Sequence, residues 1–198
     1  RRAHIAAAAL ARELERYGMT ANGTLACTMY NGTELVLLSL AAAYGGYTLA
    51  LLNPRLSADE RQLRLVELEN ATGEHGMDVL TNQMVNRLLI DATGFDATGF
   101  GLLPDDAAVL TRLQVELEQT VQRYQERFDG NNAGLVMFTS GSSGTPKAAF
   151  LTWNSLMGSA AGANEVLRYE EHGVWQMVLP LCHVGGFQIL VRTLLSGN

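Results

Sequence analysis

One stretch gathers residue types that could do chemistry together: Gly134-Leu135-Val136-Met137-Phe138-Thr139-Ser140-Gly141-Ser142-Ser143-Gly144-Thr145-Pro146-Lys147. Leu135 to Phe138 are four apolar residues in a row and read as a short buried strand. That strand runs into hydroxyl side chains and glycines, closed by Pro146-Lys147. Glycines let a backbone turn tightly and come close to a ligand, so successive N–H groups can converge on an anion. Thr139, Ser140, Ser142, Ser143 and Thr145 add hydroxyl donors, and Lys147 adds a full positive charge. Phosphate is the ligand such a loop suits best. The 14 basic residues are 13 Arg and a single Lys, and that Lys is Lys147. A compact ammonium approaches a phosphate as a point charge where a planar fork does not fit.

A Ser/Gly-rich surface linker has a similar composition. Linkers, however, do not ordinarily begin on a buried strand and run into an element that reads as a helix, as this one does. The Walker pattern is excluded, because it needs adjacent Gly and Lys, and Thr145-Pro146 separates Gly144 from Lys147.

A second group lies downstream. Val174 to Leu179 reads as a strand, ending in Pro180-Leu181-Cys182-His183-Val184-Gly185-Gly186, and Phe187 to Leu195 reads as a helix. His183 could donate a hydrogen bond to a reacting group; a satisfied histidine at a strand end is nearly as good a reading of the residue alone. If the helix begins near Gly185, Arg192 lies seven positions on and returns to almost the same face. A substrate could lie along that face beside Gly185 and Gly186, with Arg192 as a remote cation; a solvent-facing arginine is the plain alternative. His4, His75 and His172 have no accompanying partners and read as surface residues.

The elements that must position these groups alternate between strand and helix. Ile5 to Tyr17 reads as a helix stopped by Gly18, Thr24 to Met29 as a strand, Glu34 to Tyr44 as a helix ended by Gly45-Gly46, and Tyr47 to Leu52 as a strand. Two short strands joined by a helix make a βαβ unit with a parallel sheet and a right-handed crossover. Ser57-Ala58-Asp59-Glu60 is a capping box opening a helix to about Glu69. Met77 to Leu80 reads as a third strand and Thr81 to Leu89 as a weak helix. The pentapeptide D-A-T-G-F occurs twice, at 91–95 and 96–100, and suggests a turn-rich surface excursion. Leu110, Leu113, Leu117, Val121, Tyr124 and Phe128 form one stripe of a long amphipathic helix. Beyond the loop, Leu151-Thr152-Trp153-Asn154 starts a helix rich in small residues. The predicted class is α/β, with parallel-rich sheets and flanking helices.

Composition bounds the rest. A chain of 198 residues, 47% hydrophobic and 17% charged, fits one globular core and not a disordered segment. A net charge of −6 argues against a general nucleic-acid surface, so a polyanion site must be local. Cys27 and Cys182 lack metal-ligand spacing, which points to reduced thiols and a cytoplasmic setting. No apolar run reaches membrane-spanning length. Arg12, Glu13, Glu15 and Arg16 interrupt the Ala-rich start, which argues against a signal peptide.

Residues 139–147 match T-S-G-[ST]-[ST]-G-x-P-K position for position, and this motif resembles that of the adenylate-forming superfamily (acyl-CoA synthetases, luciferases, peptide-synthetase adenylation domains). Gly18 to Glu34, Leu52-Asn53-Pro54-Arg55-Leu56 and Ser57-x-x-Glu60 resemble its first subdomain, so the likeness spans essentially the whole chain. Leu179 to Gly186 is similar to the P-[LM]-[FC]-H-x-x-G segment of acid–CoA ligases. Amino-acid-adenylating members usually carry an Asp near this point, and Cys182-His183-Val184 has none. The H-V-G-G run followed by an apolar helix with Arg192 looks most like the o-succinylbenzoate–CoA ligases of menaquinone synthesis; general acyl- and aryl-CoA ligases share much of it.

The resemblance implies an AMP-forming ligase of a small carboxylic acid, with ATP, Mg²⁺ and CoA as its partners and no nucleic acid. It implies that Thr139, Ser140, Gly141, Ser142, Ser143, Gly144, Thr145 and Lys147 hold the phosphates. His183 would stand between phosphates and acid, and His183, Gly185, Gly186 and Arg192 would line the acid pocket, with no metal ligand among these residues. Members are typically more than twice this length. The expectation is therefore an incomplete N-terminal AMP-binding domain over 1–198, inactive alone, lacking the rest of that domain and the C-terminal domain. The other readings are a nucleotide-binding module without turnover and an interaction domain using the stripe from Leu110 to Phe128.

Overall fold

The computed structural model describes residues 2–93, 107–139, 145–167 and 173–197. The D-A-T-G-F repeats lie largely outside these residues, as do Ser140 to Gly144 of the loop. The chain runs α1 (Arg2–Arg16), β1 (Thr24–Thr28), α2 (Thr33–Gly45), β2 (Thr48–Leu52), α3 (Ala58–Thr72), β3 (Val79–Leu80), α4 (Asn82–Thr93), α5 (Ala107–Arg127), β4 (Ala133–Thr139), β5 (Lys147–Thr152), α6 (Trp153–Leu167) and α7 (Val184–Ser196).

The five strands form one sheet in the order β3-β1-β2-β4-β5. The pairings β1–β2, β1–β3 and β2–β4 are parallel, and β4–β5 is antiparallel. The expected βαβ unit is β1-α2-β2, in register from Thr24 opposite Thr48 to Thr28 opposite Leu52. Its strands are apolar on both faces because both faces are covered. Leu25, Cys27, Leu49, Leu51 and Leu135 belong to the large core with α1 and α2. Ala26, Ala50, Leu52 and Val136 face the other way, onto Leu68 of α3. Gly46 ends α2 in the left-handed region, at φ 69°, and returns its N–H to the Ala42 carbonyl, which lets β2 start two residues later.

Three expectations need correction. The element after the glycine loop is not helical: Lys147 to Thr152 form β5, and α6 begins only at Trp153. A glycine-rich loop between two apolar-leaning segments can close a hairpin, and an antiparallel strand needs no crossover helix to join the sheet's edge. Val174 to Leu179 is not a strand among the described residues. Its apolar run suggests burial, yet Val174 and Val178 are 95% and 68% exposed, and none of the five strands pairs with it among the described residues. The third strand shrinks to Val79–Leu80. Elsewhere the differences are of boundary: α7 starts three residues before Phe187, and α4 continues past Leu89 to Thr93. In α5, Tyr124 of the expected stripe is buried, 6.3 Å from the Tyr44 ring on α2, so the end of the helix packs on its own domain.

Candidate active site

The glycine loop is the connection of the β4–β5 hairpin. Thr139 and Lys147 are its last paired residues, opposite each other in register. The Thr139 hydroxyl lies 3.5 Å from the Lys147 carbonyl, to which it donates. Because β4 is parallel to β2 and β1, this hairpin end stands at the carboxyl edge of the parallel strands. Ligands of open α/β sheets collect along that edge.

The base of the hairpin is fixed from one side. Phe138 and Ala148 pack with Leu65 and Leu68 of α3, and the Ala148 N–H donates to Glu67 Oε1 at 3.4 Å. Pro146 is buried while Thr145 and Lys147 on either side are exposed. Lys147 forms no ion pair among the described residues. A cation held at a rigid strand end without a protein counter-ion is available to an anion from solution.

His183 reaches the same edge by another route. It is the N-cap of α7, and its carbonyl accepts from Gly186 and Phe187 at 2.9 and 3.0 Å. Its N–H donates to Pro180 at 3.1 Å, closing a turn. The imidazole is exposed and makes no side-chain cap. The anchor of this turn is Asn31, which follows β1. Asn31 Nδ2 donates to the Leu179 carbonyl at 2.9 Å and lies 3.4 Å from that of Met177; Asn31 Oδ1 accepts from the Leu181 N–H at 2.9 Å. In the sequence, Asn31-Gly32 signals a turn before α2 and nothing more. The Asn-Gly pair was a sufficient signal for that turn and none for a contact 150 residues away.

The two glycines differ. A side chain at Gly186 would overlap the Pro180 carbonyl, so this glycine is needed for the chain's own close packing. Gly185 is open except for Leu179 Cδ1 at 3.7 Å from an added Cβ. Arg192 lies two turns further along α7. Its guanidinium sits over the Trp175 ring, 5.5 Å from the centroid, and its Nε is buried without a hydrogen-bond partner among the described residues. Residues 175 to 179 thus run along the face that carries Gly185 and Arg192. The same helix pairs with α6, where Asn164 Nδ2 donates to the Arg192 carbonyl at 3.2 Å and Gln188 Nε2 to that of Leu156 at 3.3 Å.

Neither cysteine is an activated nucleophile. Burial pushes the Cys27 thiol far up, with Cys182 nearby adding to the shift, and half-burial raises Cys182 as well. Among the described residues no cluster of His, Cys, Asp or Glu could hold a metal ion. A cavity of about 700 Å³ opens at the opposite end of β1, between Leu14, Leu25, Met77 and Leu88. It is remote from both groups just described. Among the described residues no helix is long and apolar enough to cross a membrane.

The sequence profile of the AMP-binding enzyme family matches residues 1–198. The 2-succinylbenzoate–CoA ligase of Bacillus cytotoxicus is 28% identical over 173 residues, covering 87% of this chain and 31% of its own length. That of Staphylococcus aureus is 26% identical over 197 residues, covering 96% and 39%. The chain thus spans about a third of the length of the curated relatives it matches. Among solved structures, the o-succinylbenzoate–CoA synthetase MenE of Bacillus subtilis, in complex with ATP and magnesium, superposes with a TM-score of 0.69 at 21% identity, over 97% of this chain and 47% of that one. Apo MatB of Rhodopseudomonas palustris gives 0.68 at 16% identity, over 98% and 37%. These likenesses establish the fold: a mixed sheet flanked by helices, as in the N-terminal domain of adenylate-forming enzymes. With the profile matched over residues 1–198, the chain belongs to the AMP-binding enzyme family.

Proposed function

We propose that this chain is the phosphate-holding part of an AMP-forming acid–CoA ligase, and that the acid is 2-succinylbenzoate. The observation that carries the first half is the hairpin end. A run of hydroxyls and glycines joins two strands at the carboxyl edge of the parallel sheet, and the chain's single lysine closes it unpaired among the described residues. The second half is supported by the named relatives and by the absence of an acidic residue at Cys182-His183-Val184.

In this reading the acid's carboxylate attacks the α-phosphorus of ATP, giving the acyl-adenylate and pyrophosphate. The CoA thiol, losing its proton, then attacks the acyl carbon and expels AMP. Thr139, Ser140, Ser142, Ser143, Thr145, the backbone of Gly141 and Gly144, and Lys147 hold the β- and γ-phosphates, where charge collects as pyrophosphate departs. Preorganised donors stabilise that charge without reorganising during the step. Magnesium arrives with ATP as part of the substrate. His183 donates a hydrogen bond where acid and phosphates meet.

Arg192 recognises the second carboxylate of the acid. It lies nine residues beyond His183, about 13 Å along the helix axis, and long side chains on a helix lean back toward its N-terminus. The planar guanidinium over the Trp175 ring is of the kind that binds a carboxylate in a bidentate way.

Calorimetric titration of the chain with MgATP tests the phosphate assignment. Lys147→Ala is expected to weaken binding by roughly 10- to 150-fold, the loss of one charge-assisted contact worth about 1.5–3 kcal/mol. Lys147→Arg restores only part of it. Equal affinities in all three proteins contradict the assignment.

A further inference from the structure

The link between Asn31 and the segment ending in His183 has a role in the site that neither its sequence position nor the family match assigns. Asn31 lies three residues beyond β1, in the loop leading to α2. That loop is itself held: the Tyr30 N–H donates to Asn82 Oδ1 at 3.1 Å, and Asn82 Nδ2 lies 3.4 Å from Glu34 Oε2. From this fixed point the Asn31 amide uses both ends. Its NH₂ takes the Leu179 carbonyl and its oxygen takes the Leu181 N–H, both at 2.9 Å, so the bonds bracket Pro180. The Pro180 carbonyl accepts the His183 N–H at 3.1 Å, and the closely packed Gly186 leans on the same carbonyl.

A continuous set of hydrogen bonds therefore runs from the carboxyl end of β1 to the N-cap of α7. No strand ladder holds residues 174–179 among the described residues, so this side chain does the work that sheet pairing does elsewhere. We propose that Asn31 is a positioning residue: it fixes Pro180 to His183 against the carboxyl edge of the sheet and so sets the imidazole toward the phosphate-binding hairpin. The orientation toward phosphate rests on the proposed function above; the fixing of the segment does not.

Amide hydrogen exchange and imidazole resonances of the 198-residue chain test this, with pyrophosphate as the probe. Asn31→Ala is expected to speed exchange at Leu181 and His183 about fivefold or more, the scale that modest hydrogen bonds support, while β1 and β2 stay protected. Asn31→Asp can still accept from Leu181 but faces the Leu179 carbonyl with a negative oxygen, so it restores protection only in part. Pyrophosphate is expected to shift the His183 ring resonances of the unsubstituted chain. In Asn31→Ala that response falls while the one at Lys147 persists. Unchanged exchange at 181–183 overturns the proposal. So does exchange that rises equally through β1 and β2, or a His183 response that survives Asn31→Ala intact. If pyrophosphate moves neither Lys147 nor His183 in the unsubstituted chain, the phosphate reading fails. The exchange result then still decides whether Asn31 holds the segment.

Discussion

The first 52 residues and the last 50 are built on different principles. In α1, β1, α2 and β2 the apolar residues meet one another: Leu10, Leu37, Leu38, Leu49 and Leu52 are all fully buried in the chain's own core. Beyond β5 many do not. Val166 and Val174 are 80% and 95% exposed, and Val178, Leu179, Val184, Leu194 and Leu195 also face outward. The candidate site lies across this divide. Lys147 and Thr139 are bolted to the sheet and α3, whereas His183 and Arg192 belong to a layer tied down by Asn31, by the α6–α7 contact and by stacking on Trp175. In the proposed function, phosphate binding rests on the strands and α3, and acid recognition on the layer that is less deeply packed.

That contrast can be broken at its strongest point first. Leu49→Ala in β2 removes a fully buried side chain from the middle of the sheet and should cost about 2–5 kcal/mol, read from chemical denaturation. Val174→Ser at an exposed position should stay within about 0.5 kcal/mol. Comparable losses would mean that the outer layer is as much a part of the core as β2.

The next effect separates specificity from stability. If the proposed function holds, Arg192→Leu in the complete enzyme should lower kcat/KM for 2-succinylbenzoate by roughly 10- to 100-fold, the scale of one charged contact. A monocarboxylic aromatic acid should be little affected. An equal fall for both acids would make Arg192 a packing residue held by Trp175, and the general acyl- or aryl-CoA ligase reading would take over.

Much of the deeply packed part was legible from sequence because its signals are local. The βαβ unit follows from two apolar runs around a helix-length segment, and the capping box at Ser57 and Glu60 is present as read. Nine ordered residues make the loop visible in the sequence, even though the element that follows it reads as a helix from Leu151 and is β5 up to Thr152. In that stretch the small residues near Ala148 and Ala149 gave no period of their own, and pairing with β4 decided the matter. The outer layer was harder. The run from Val174 to Leu179 has the composition of a buried strand, but a strand needs a partner, and that information is not local. Asn31 was missed for the same reason, as was the use of Gly186, which only the approach of the Pro180 backbone explains.

The smallest effect sharpens the local side of the comparison. Hydrogen bonding from the Ser57 N–H and hydroxyl holds the Glu60 carboxyl below the ordinary glutamate range. The stabilisation is fully present above the unfolded pKa and is lost as pH falls through the lower, folded value. Acidification below the ordinary range should therefore loosen the first turn of α3 before the core responds. Ser57→Ala should cost about 1 kcal/mol at neutral pH and, because the backbone N–H still donates to Glu60, reduce the acid sensitivity of that turn only in part; Glu60→Gln should remove it, followed through amide exchange. A first turn equally sensitive to acid in Glu60→Gln would refute the assignment.

The central claim, that the β4–β5 hairpin end is a phosphate cradle, is tested most directly by mapping backbone amide shifts while MgATP is added to the chain. The expected result is a set of saturable shifts concentrated in 139–147, absent in Lys147→Ala, with the cavity near Leu25 and Met77 unaffected. Shifts centred on that cavity, or a hairpin that does not respond to saturating MgATP, would contradict it.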